Sequence, residues 1–236
     1  MSARSRVDDV AVVIPARNEA DRIRQTVTAA AGLPGVGLVV VVDDGSRDGT
    51  GAVARRAGAV VLRHARNRGK AAAMTSGANA VGLVDQRERR DRPRHLLFLD
   101  ADLADSAAQA GPLTDPVLAG TADMTIAVFA ATVKLGGHGL VVGLSGAGIR
   151  RAVGWQPAQP LNGQRCLTRA AFEAARPLAP GWGVETALTI DLMRQGFRVT
   201  EVEVELAHRA TGTGLHAQLH RAHQLADVAR ALAARR

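Results

Sequence analysis

Long apolar runs and polar segments alternate through the first hundred positions of the chain. Runs at 10–16 (VAVVIPA), 37–44 (GLVVVVDD), 59–64 (AVVLRH) and 96–102 (LLFLDAD) are short and mostly rich in β-branched residues, so they predict four strands. Segments with helical character lie between them, the first beginning near Glu19. Continuous apolar strands separated by helices are typical of a parallel sheet that helices cover on both faces.

The second half of the chain is less regular. We predict strands at 124–130 and 199–206, the latter because apolar and acidic residues alternate along it. Between them lie a glycine-rich, partly helical stretch at 134–154 and a helix at 184–195. A last helix, about 215–234, carries an apolar stripe that would dock on the domain or on a membrane surface, and docking on the domain is the commoner fate.

Length and composition favour one globular domain. The chain has 236 residues, of which 47% are hydrophobic and 22% charged, and it shows no internal repeat and no long linker. No apolar run approaches the roughly 18 residues of a membrane-spanning helix, and the first ten residues lack the apolar core of a signal peptide. The single cysteine, Cys166, has no partner for a disulfide and no companions for a zinc site. We therefore expect a cytoplasmic protein with one domain, 1–236.

The net charge of +8 raises the question of an anionic partner. Much of the arginine lies in a surface-like run at 86–94 and in the last residues of the chain, without interleaved aromatic residues or a known nucleic-acid-binding motif. We interpret the charge as an arginine-rich solvated surface and expect no nucleic-acid partner.

Polar residues gather where the predicted parallel strands end. They are Pro15 and Asn18, Asp43 and Asp44, Gly69 and Lys70, and Asp100 and Asp102. The carboxyl ends of parallel strands meet at one edge of a sheet, and ligands of such sheets bind beyond that edge. The sequence therefore predicts a binding site formed by four neighbouring loops.

Two carboxylates, Asp100 and Asp102, follow the apolar run LLFL directly. Carboxylates close together in a dry environment repel each other and resist ionisation, so a cation is needed to offset the cost. Mg²⁺ or Mn²⁺ prefers oxygen ligands of this kind and usually also holds substrate phosphates. An ordinary acidic turn after a strand explains the pair equally well, and the two alternatives stay open at this point.

Two further loops carry candidate donors and acceptors. Lys70 stands at a predicted helix start behind Gly69, where charge and helix dipole both favour an anion. Asp44, at the end of the second strand, is suited to accept hydrogen bonds from a base or a ribose. The chain lacks the P-loop spacing and the G-x-G-x-x-G fingerprint, which speaks against an ATPase, a kinase or a dinucleotide oxidoreductase.

Later in the chain, Glu185 lies just inside a predicted helix after a Gly/Trp loop. It would orient an acceptor, take a proton or stabilise a cationic sugar transition state, unless it is simply a first-turn Glu favoured by the helix dipole. His208 and Arg209 follow the last predicted strand and precede a glycine turn. They would serve as a metal ligand and a phosphate clamp, although a lone histidine is usually structural.

In this order and spacing, the segments VVIPARNEA, VVDDGSRDGT and DAD resemble the nucleotide-sugar glycosyltransferases of the GT-A fold, from about Val10 to Gly214. The resemblance implies an α/β fold with a Rossmann-like, mostly parallel central sheet, and hexose transfer from UDP-glucose. The donor-binding residues that it implies are Pro15, Ala16, Arg17, Glu19, Asp44, Lys70, Asp100, Ala101 and Arg209.

The same resemblance implies a bound metal and a catalytic centre. Asp100, Asp102 and His208 would hold Mg²⁺ or Mn²⁺, while Glu185 would lie near the reacting sugar and act with Asp102 in catalysis. It also divides the domain into a donor-binding half at about 10–105 and an acceptor half at about 106–214.

Two branches of these enzymes share different stretches with the chain. DDGSRDGT, DADL and EVEVELAHRATG resemble polyprenyl- and dolichyl-phosphate sugar synthases, whereas QPLNGQRCLTR and PGWGVETALTID resemble retaining glucosyl-3-phosphoglycerate synthases. The phosphoglycerate-binding pattern of the second branch appears here as GGHGLVV, without its arginine and threonine. We expect a polyprenyl phosphate or another phosphorylated acceptor, with a different small acceptor or a sugar nucleotidyltransferase as alternatives.

Candidates for binding the acceptor lie in the second half of the chain. They are Lys134, His138 and Arg150 in the glycine-rich stretch, and Gly163. Lys134, His138 and Arg150 could equally be ordinary surface or helix-end residues. The sequence leaves two points open. The last helix could contact the inner face of a membrane, and the protein could form a homodimer.

Overall fold

The computed structural model describes residues 8–129, 139–206 and 215–235, and within them a seven-stranded sheet forms the centre of the protein. The strands are β1 (Val10–Ala16), β2 (Val36–Asp43), β3 (Val60–Arg63), β4 (His95–Phe98), β5 (Met124–Phe129), β6 (Arg165–Leu167) and β7 (Val199–Val204). Their order across the sheet is β3-β2-β1-β4-β6-β5-β7.

Helices pack on both faces of this sheet. They are α1 (Ile23–Ala31), α2 (Thr50–Arg56), α3 (Lys70–Arg87), α4 (Asp115–Leu118), α5 (Gly139–Val153), α6 (Arg169–Ala174), α7 (Val184–Arg194) and α8 (Leu215–Ala233), with 3₁₀ segments at Ala104–Leu113 and Gly181–Gly183. None of the described helices is both long enough and apolar enough to cross a membrane. The last helix instead packs against α5, α7 and the Gly181–Gly183 segment, which agrees with docking on the domain.

The sheet is mostly parallel, as predicted from the continuous apolar runs. β1 pairs in parallel with β2 and β4, β2 with β3, and β5 with β7. The exception is β6, which runs antiparallel between β4 and β5. Because it runs the other way, the residues that precede β6 lie at the same edge as the carboxyl ends of its parallel neighbours.

Apolar side chains fill two layers, one on each face of the sheet. Successive residues of a strand point to opposite faces, so Val12 and Ile14 join one layer while Ala11 and Val13 join the other. All four are fully buried. Helix α3 approaches the second layer so closely that a Cβ on Gly77 would lie 2.3 Å from Val13 Cγ1. This packing fixes α3, and Lys70 at its start, against the strand ends.

The boundaries differ from the sequence prediction at one point that matters for the site. The strand predicted at 96–102 ends at Phe98, and only the Leu99 N–H continues the pairing by donating to the Val13 carbonyl at 3.2 Å. The chain then turns away from the sheet, because the carboxylates that follow cannot be placed in its apolar layers. Asp100 therefore stands in a loop at the sheet edge rather than in a strand.

Candidate active site

Three charged side chains meet beyond the carboxyl end of β4. Lys70 Nζ lies 2.9 Å from Asp100 Oδ1 and 3.0 Å from Glu185 Oε1. These residues come from the start of α3, the loop after β4 and the first turn of α7. The structure thus brings together three residues that the sequence had singled out separately, and we call them the charged triad.

Electrostatics make Lys70 a permanent cation of this triad. Burial lowers the pKa of Lys70, but the charges of Asp100 and Glu185 and their hydrogen bonds more than offset this, so that its pKa is raised well above the ordinary value. The ammonium group in turn stabilises two carboxylates in a confined space, where Glu185 is only 5% exposed. With two acids and one base, the triad carries one net negative charge and can bind a further cation.

The segment before β6 completes the surroundings of the triad. Gln164 Nε2 donates a hydrogen bond to Asp100 Oδ2 at 3.0 Å, and Gln164 is fully buried. Gly163 lies so close that a Cβ there would be 2.2 Å from Lys70 Nζ. Gly163 was predicted as an acceptor-binding residue, and the structure places it against Lys70 and Asp100.

Sequence reasoning missed Gln164 and Arg165, which both contact site residues in the structure. The signals for them are the polar pair in QPLNGQRCLTR, directly before a short apolar stretch, and the resemblance of that stretch to the glucosyl-3-phosphoglycerate synthases.

Asp44 is buried and organises the loop in front of Lys70. Its Oδ1 accepts hydrogen bonds from His64 Nδ1 at 2.7 Å and from the Arg68 N–H at 2.8 Å, and its Oδ2 accepts one from the Gly69 N–H at 2.8 Å. The loop from His64 to Gly69 is thereby tied to the end of β2. Contact of Asp44 with a nucleotide stays a prediction, and its visible role is to set the start of α3.

The loop after β1 is held by the loop after β2. The Asn18 N–H donates to Ser46 Oγ at 3.0 Å, and the Glu19 N–H donates to Thr50 Oγ1 at 2.9 Å. Asn18 itself has a φ of 56°, a conformation that asparagine tolerates better than most residues. Pro15, Ala16, Arg17 and Glu19, the candidate donor-binding residues of this loop, are therefore held at the sheet edge.

A cavity of about 310 Å³ opens between the loops that follow β1, β2 and β3. Four arginines contribute to its lining, namely Arg63 at the end of β3 and, from the loops after β1, β2 and β3, Arg17, Arg47 and Arg66. Of these four arginines, only Arg63 forms an ion pair with another described residue, namely with Asp43 at 3.5 Å. The cavity is thus strongly positive and suits an anionic or carbonyl-rich ligand.

The loop that carries Ala101 and Asp102 is fixed to α1 through its backbone. Thr26 Oγ1 donates to the Ala101 carbonyl at 2.8 Å, and Arg22 Nη1 donates to the Asp102 carbonyl at 3.3 Å. These bonds fix the backbone of Ala101 and Asp102, and the side chain of Asp102 is half-buried.

The residues present fit a hard divalent cation. Within the described part of the chain, no three His, Cys, Asp or Glu side chains form a ligand cluster. Asp100 and Asp102 would supply two carboxylates to such a cation. This donor set is typical of Mg²⁺ or Mn²⁺, which keeps waters or substrate phosphates in its other positions. The third predicted ligand, His208, lies outside the described residues, as do Arg209, Lys134 and His138.

Arg150, the remaining acceptor candidate, is exposed in the last turn of α5. Its side chain forms no ion pair with any acid that the structure describes. Helix α5 is linked to α7 next to Glu185 by a hydrogen bond of 2.6 Å between Ser145 Oγ and Thr186 Oγ1.

Comparisons with known proteins identify the family and the fold of the chain. The sequence pattern of "Glycosyl transferase family 2" matches residues 11–139 of the chain. Glycosyltransferase AglJ of Haloferax volcanii is 28% identical over 211 residues, which cover 87% of this chain and 65% of AglJ. The chain spans less than two thirds of the length of the curated relatives it matches, between 40% and 65%.

Two crystal structures of glucosyl-3-phosphoglycerate synthase from Mycobacterium tuberculosis have the same fold. The complex with phosphoglyceric acid has a TM-score of 0.75 and 25% identity, and the match covers 96% of this chain and 80% of the synthase. The complex with Mn²⁺, uridine diphosphate and phosphoglyceric acid has a TM-score of 0.76 and 24% identity, covering 97% and 78%. The central sheet and its helices are therefore those of the GT-A fold.

Proposed function

The chain belongs to glycosyl transferase family 2, and from this membership we propose that it is a metal-dependent glycosyltransferase. It transfers a hexose, glucose from UDP-glucose, to an acceptor that carries a phosphate. The observation that carries the proposal is the charged triad, in which Asp100 and Glu185 share the ammonium group of Lys70 at the edge where ligands of such sheets bind.

The spacing of the site suits a nucleoside diphosphate. Neighbouring strands lie about 4.8 Å apart, so the three steps from β3 to β4 span about 14 Å. A base placed at the arginine-lined cavity would reach Asp100 and Asp102 with its diphosphate. The donor-binding roles proposed for Pro15, Ala16 and Arg17 depend on this same placement, with the base at the cavity and the diphosphate at Asp100 and Asp102.

Asp100 and Asp102 would hold Mg²⁺ or Mn²⁺ against the diphosphate. Such a cation neutralises negative charge on the departing diphosphate. The synthase of similar fold binds Mn²⁺ together with uridine diphosphate, which supports the same ligands here. Lys70 adds a fixed positive charge from the protein at the same end of the donor.

The surroundings of Glu185 favour an acceptor that is already ionised. Its carboxylate forms an ion pair with Lys70 at 3.0 Å, so we assign it to orienting an acceptor or stabilising positive charge on the sugar rather than to taking a proton. An acceptor phosphate needs no base. One of its oxygens forms the new bond to the sugar carbon, the bond from that carbon to the diphosphate breaks, and UDP leaves with the electron pair.

Two acceptor classes remain in competition. We place a polyprenyl phosphate first because of the segments that resemble polyprenyl-phosphate sugar synthases. A small phosphorylated acceptor is the second candidate, because the likeness to the glucosyl-3-phosphoglycerate synthase covers 96% of the chain and so includes its acceptor half.

The test is UDP release from a panel of UDP- and GDP-sugars with Mn²⁺, Mg²⁺ or EDTA, first without acceptor and then with polyprenyl phosphate or phosphoglycerate. We expect one donor to react only with metal, and one acceptor to increase its turnover. Asp102→Ala should abolish metal-dependent transfer, whereas Asp105→Ala, an exposed acid three positions later, should retain it. The proposal is wrong if no donor is consumed and no UDP binds with either metal, or if Asp102→Ala remains fully active with saturating donor.

A further inference from the structure

Arg165, the first residue of β6, is the largest fully buried residue in the part of the chain that the structure describes, with 1% of its surface exposed. All three of its nitrogens donate hydrogen bonds. Nε donates to the Asn162 carbonyl at 2.8 Å, Nη2 to the Pro160 carbonyl at 2.8 Å, and Nη1 to the Glu185 carbonyl at 3.0 Å and to Thr189 Oγ1 at 2.9 Å.

A guanidinium group in this position is costly. The four oxygen acceptors and the Met124 sulfur, which lies 3.9 Å from Nη1, are all neutral. Burial lowers the pKa of Arg165 to about 10, although Glu185 and Glu201 act in the opposite direction. The group is therefore still charged at neutral pH. Replacing buried charges by well-packed apolar side chains is often neutral or stabilising, so stability alone is a weak explanation for Arg165.

The two segments that Arg165 joins are those that surround the triad. The first runs from Pro160 to Gln164 and ends in the residue that donates to Asp100 Oδ2. The second is the first turn of α7, whose Glu185 contacts Lys70 through its side chain and Arg165 through its backbone carbonyl.

No other described side chain donates hydrogen bonds to both segments. A planar group with several donors is needed for this, because the acceptors lie on two different elements.

We propose that Arg165 is a positioning residue of the glycosyl transfer that we assign to this protein. It fixes the distance between the Gln164–Asp100 pair and Glu185, and thereby the geometry in which Lys70 bridges the two acids. It acts through these residues and does not itself contact the donor or the acceptor. The inference rests on the proposed function, since it concerns the rate of that reaction.

The test compares Arg165→Met and Arg165→Lys with a matched control, Arg94→Met. Arg94 is also a buried arginine, 3% exposed, but it precedes β4 at the opposite edge of the sheet and pairs with Asp85 and Glu88. Turnover is measured with saturating donor and metal, at a temperature well below the unfolding midpoint of every variant. UDP affinity is measured in parallel by calorimetry.

We expect Arg165→Met to lower kcat at least tenfold while the Kd for UDP changes less than threefold. Arg165→Lys keeps the charge but has one nitrogen, so it should restore only part of kcat. Arg94→Met should keep kcat within twofold even though it is destabilised. Equal losses of kcat in the Arg165 and Arg94 variants would show that Arg165 is merely structural and overturn the inference.

A second measurement requires no substrate. Amide hydrogen exchange should become at least tenfold faster in the peptide 181–190 of Arg165→Lys, and remain unchanged there in Arg94→Met. Unchanged exchange at 181–190 in both Arg165 variants would overturn the inference. A wild-type protein that consumes no donor would refute the proposed function instead, so the two failures are distinguishable.

Discussion

Replacing Lys70 by Met tests how much the ammonium group contributes to holding the charged triad together. The variant keeps most of the length and apolar volume of the side chain but removes its charge. Asp100 and Glu185, which each lie about 3 Å from Nζ, then lose the cation between them.

The expected loss of stability follows from these distances. At an effective dielectric constant of about 20, two unit charges about 3 Å apart attract each other by about 5 kcal/mol, and desolvation of each ion cancels several kcal/mol of this. Removing one partner of a buried pair typically costs about 3–5 kcal/mol. The Lys70 side chain is 23% exposed, so we discount the loss to about 2–3 kcal/mol. For a chain of this size that corresponds to roughly 5–10 °C in Tm.

The assay is urea and thermal unfolding of Lys70→Met beside Arg68→Met, which removes an exposed positive charge two positions away. The control should change the free energy of unfolding by less than about 0.5 kcal/mol. Because the folded pKa of Lys70 is raised, its stabilising effect is fully present below the unfolded pKa, about 10.4, and is lost only as the pH rises through the folded pKa. The difference between wild type and Lys70→Met should therefore be constant from about pH 6 to pH 9.

Millimolar Mg²⁺ or Mn²⁺ should recover part of the stability of Lys70→Met, since a cation at Asp100 and Asp102 replaces the missing charge. The same addition should have no effect when Asp100→Asn is combined with Lys70→Met. A loss of stability below about 0.5 kcal/mol in Lys70→Met would refute the view that the ammonium group holds the triad together.

Two further substitutions probe the loops around the triad. Gly163→Ala places a Cβ 2.2 Å from Lys70 Nζ and should lower turnover at least tenfold. Gly143→Ala, whose Cβ would meet no neighbouring element within 4 Å, should leave turnover within twofold. Equal turnover of the two variants in a steady-state assay would contradict the close approach at Gly163. Asp44→Asn loses the charge that accepts three hydrogen bonds, and we expect about 1–3 kcal/mol less stability in urea unfolding together with weaker UDP binding by calorimetry. Wild-type stability and affinity in Asp44→Asn would show that the loop before Lys70 does not depend on this carboxylate.

Much of this architecture could be predicted because its signals are local. Residues 10–16 and 37–44 are continuous apolar runs, and the helix predicted at 184–195 is observed as Val184–Arg194. The position of Lys70 and Asp100 at one sheet edge follows from parallel strands alone. Their direct contact at 2.9 Å does not, because it depends on how α3 packs against the sheet.

Other features depend on contacts between distant residues. Strand β6 has three residues, too few for a periodic pattern, and its neighbours are about 70 and 40 positions away in sequence. The hydrogen bond from Gln164 to Asp100 likewise crosses 64 positions. Asp44 was predicted from its place at a strand end, and that place does not reveal that His64 and two backbone N–H groups occupy its oxygens.

The reversed direction of β6 has a consequence for how the surroundings of the triad can change. The connection from α5 to β6, about 154–164, enters the reaction centre from the chain's later half, while the connections after β1, β2 and β4 enter it from the earlier half. Insertions or exchanges near the start of this connection would reshape one side of the triad's surroundings without altering the path of β1, β2 and β4. The start of this connection can therefore vary while the remaining framework is retained, whereas its last residues, Gly163 and Gln164, lie against Lys70 and Asp100.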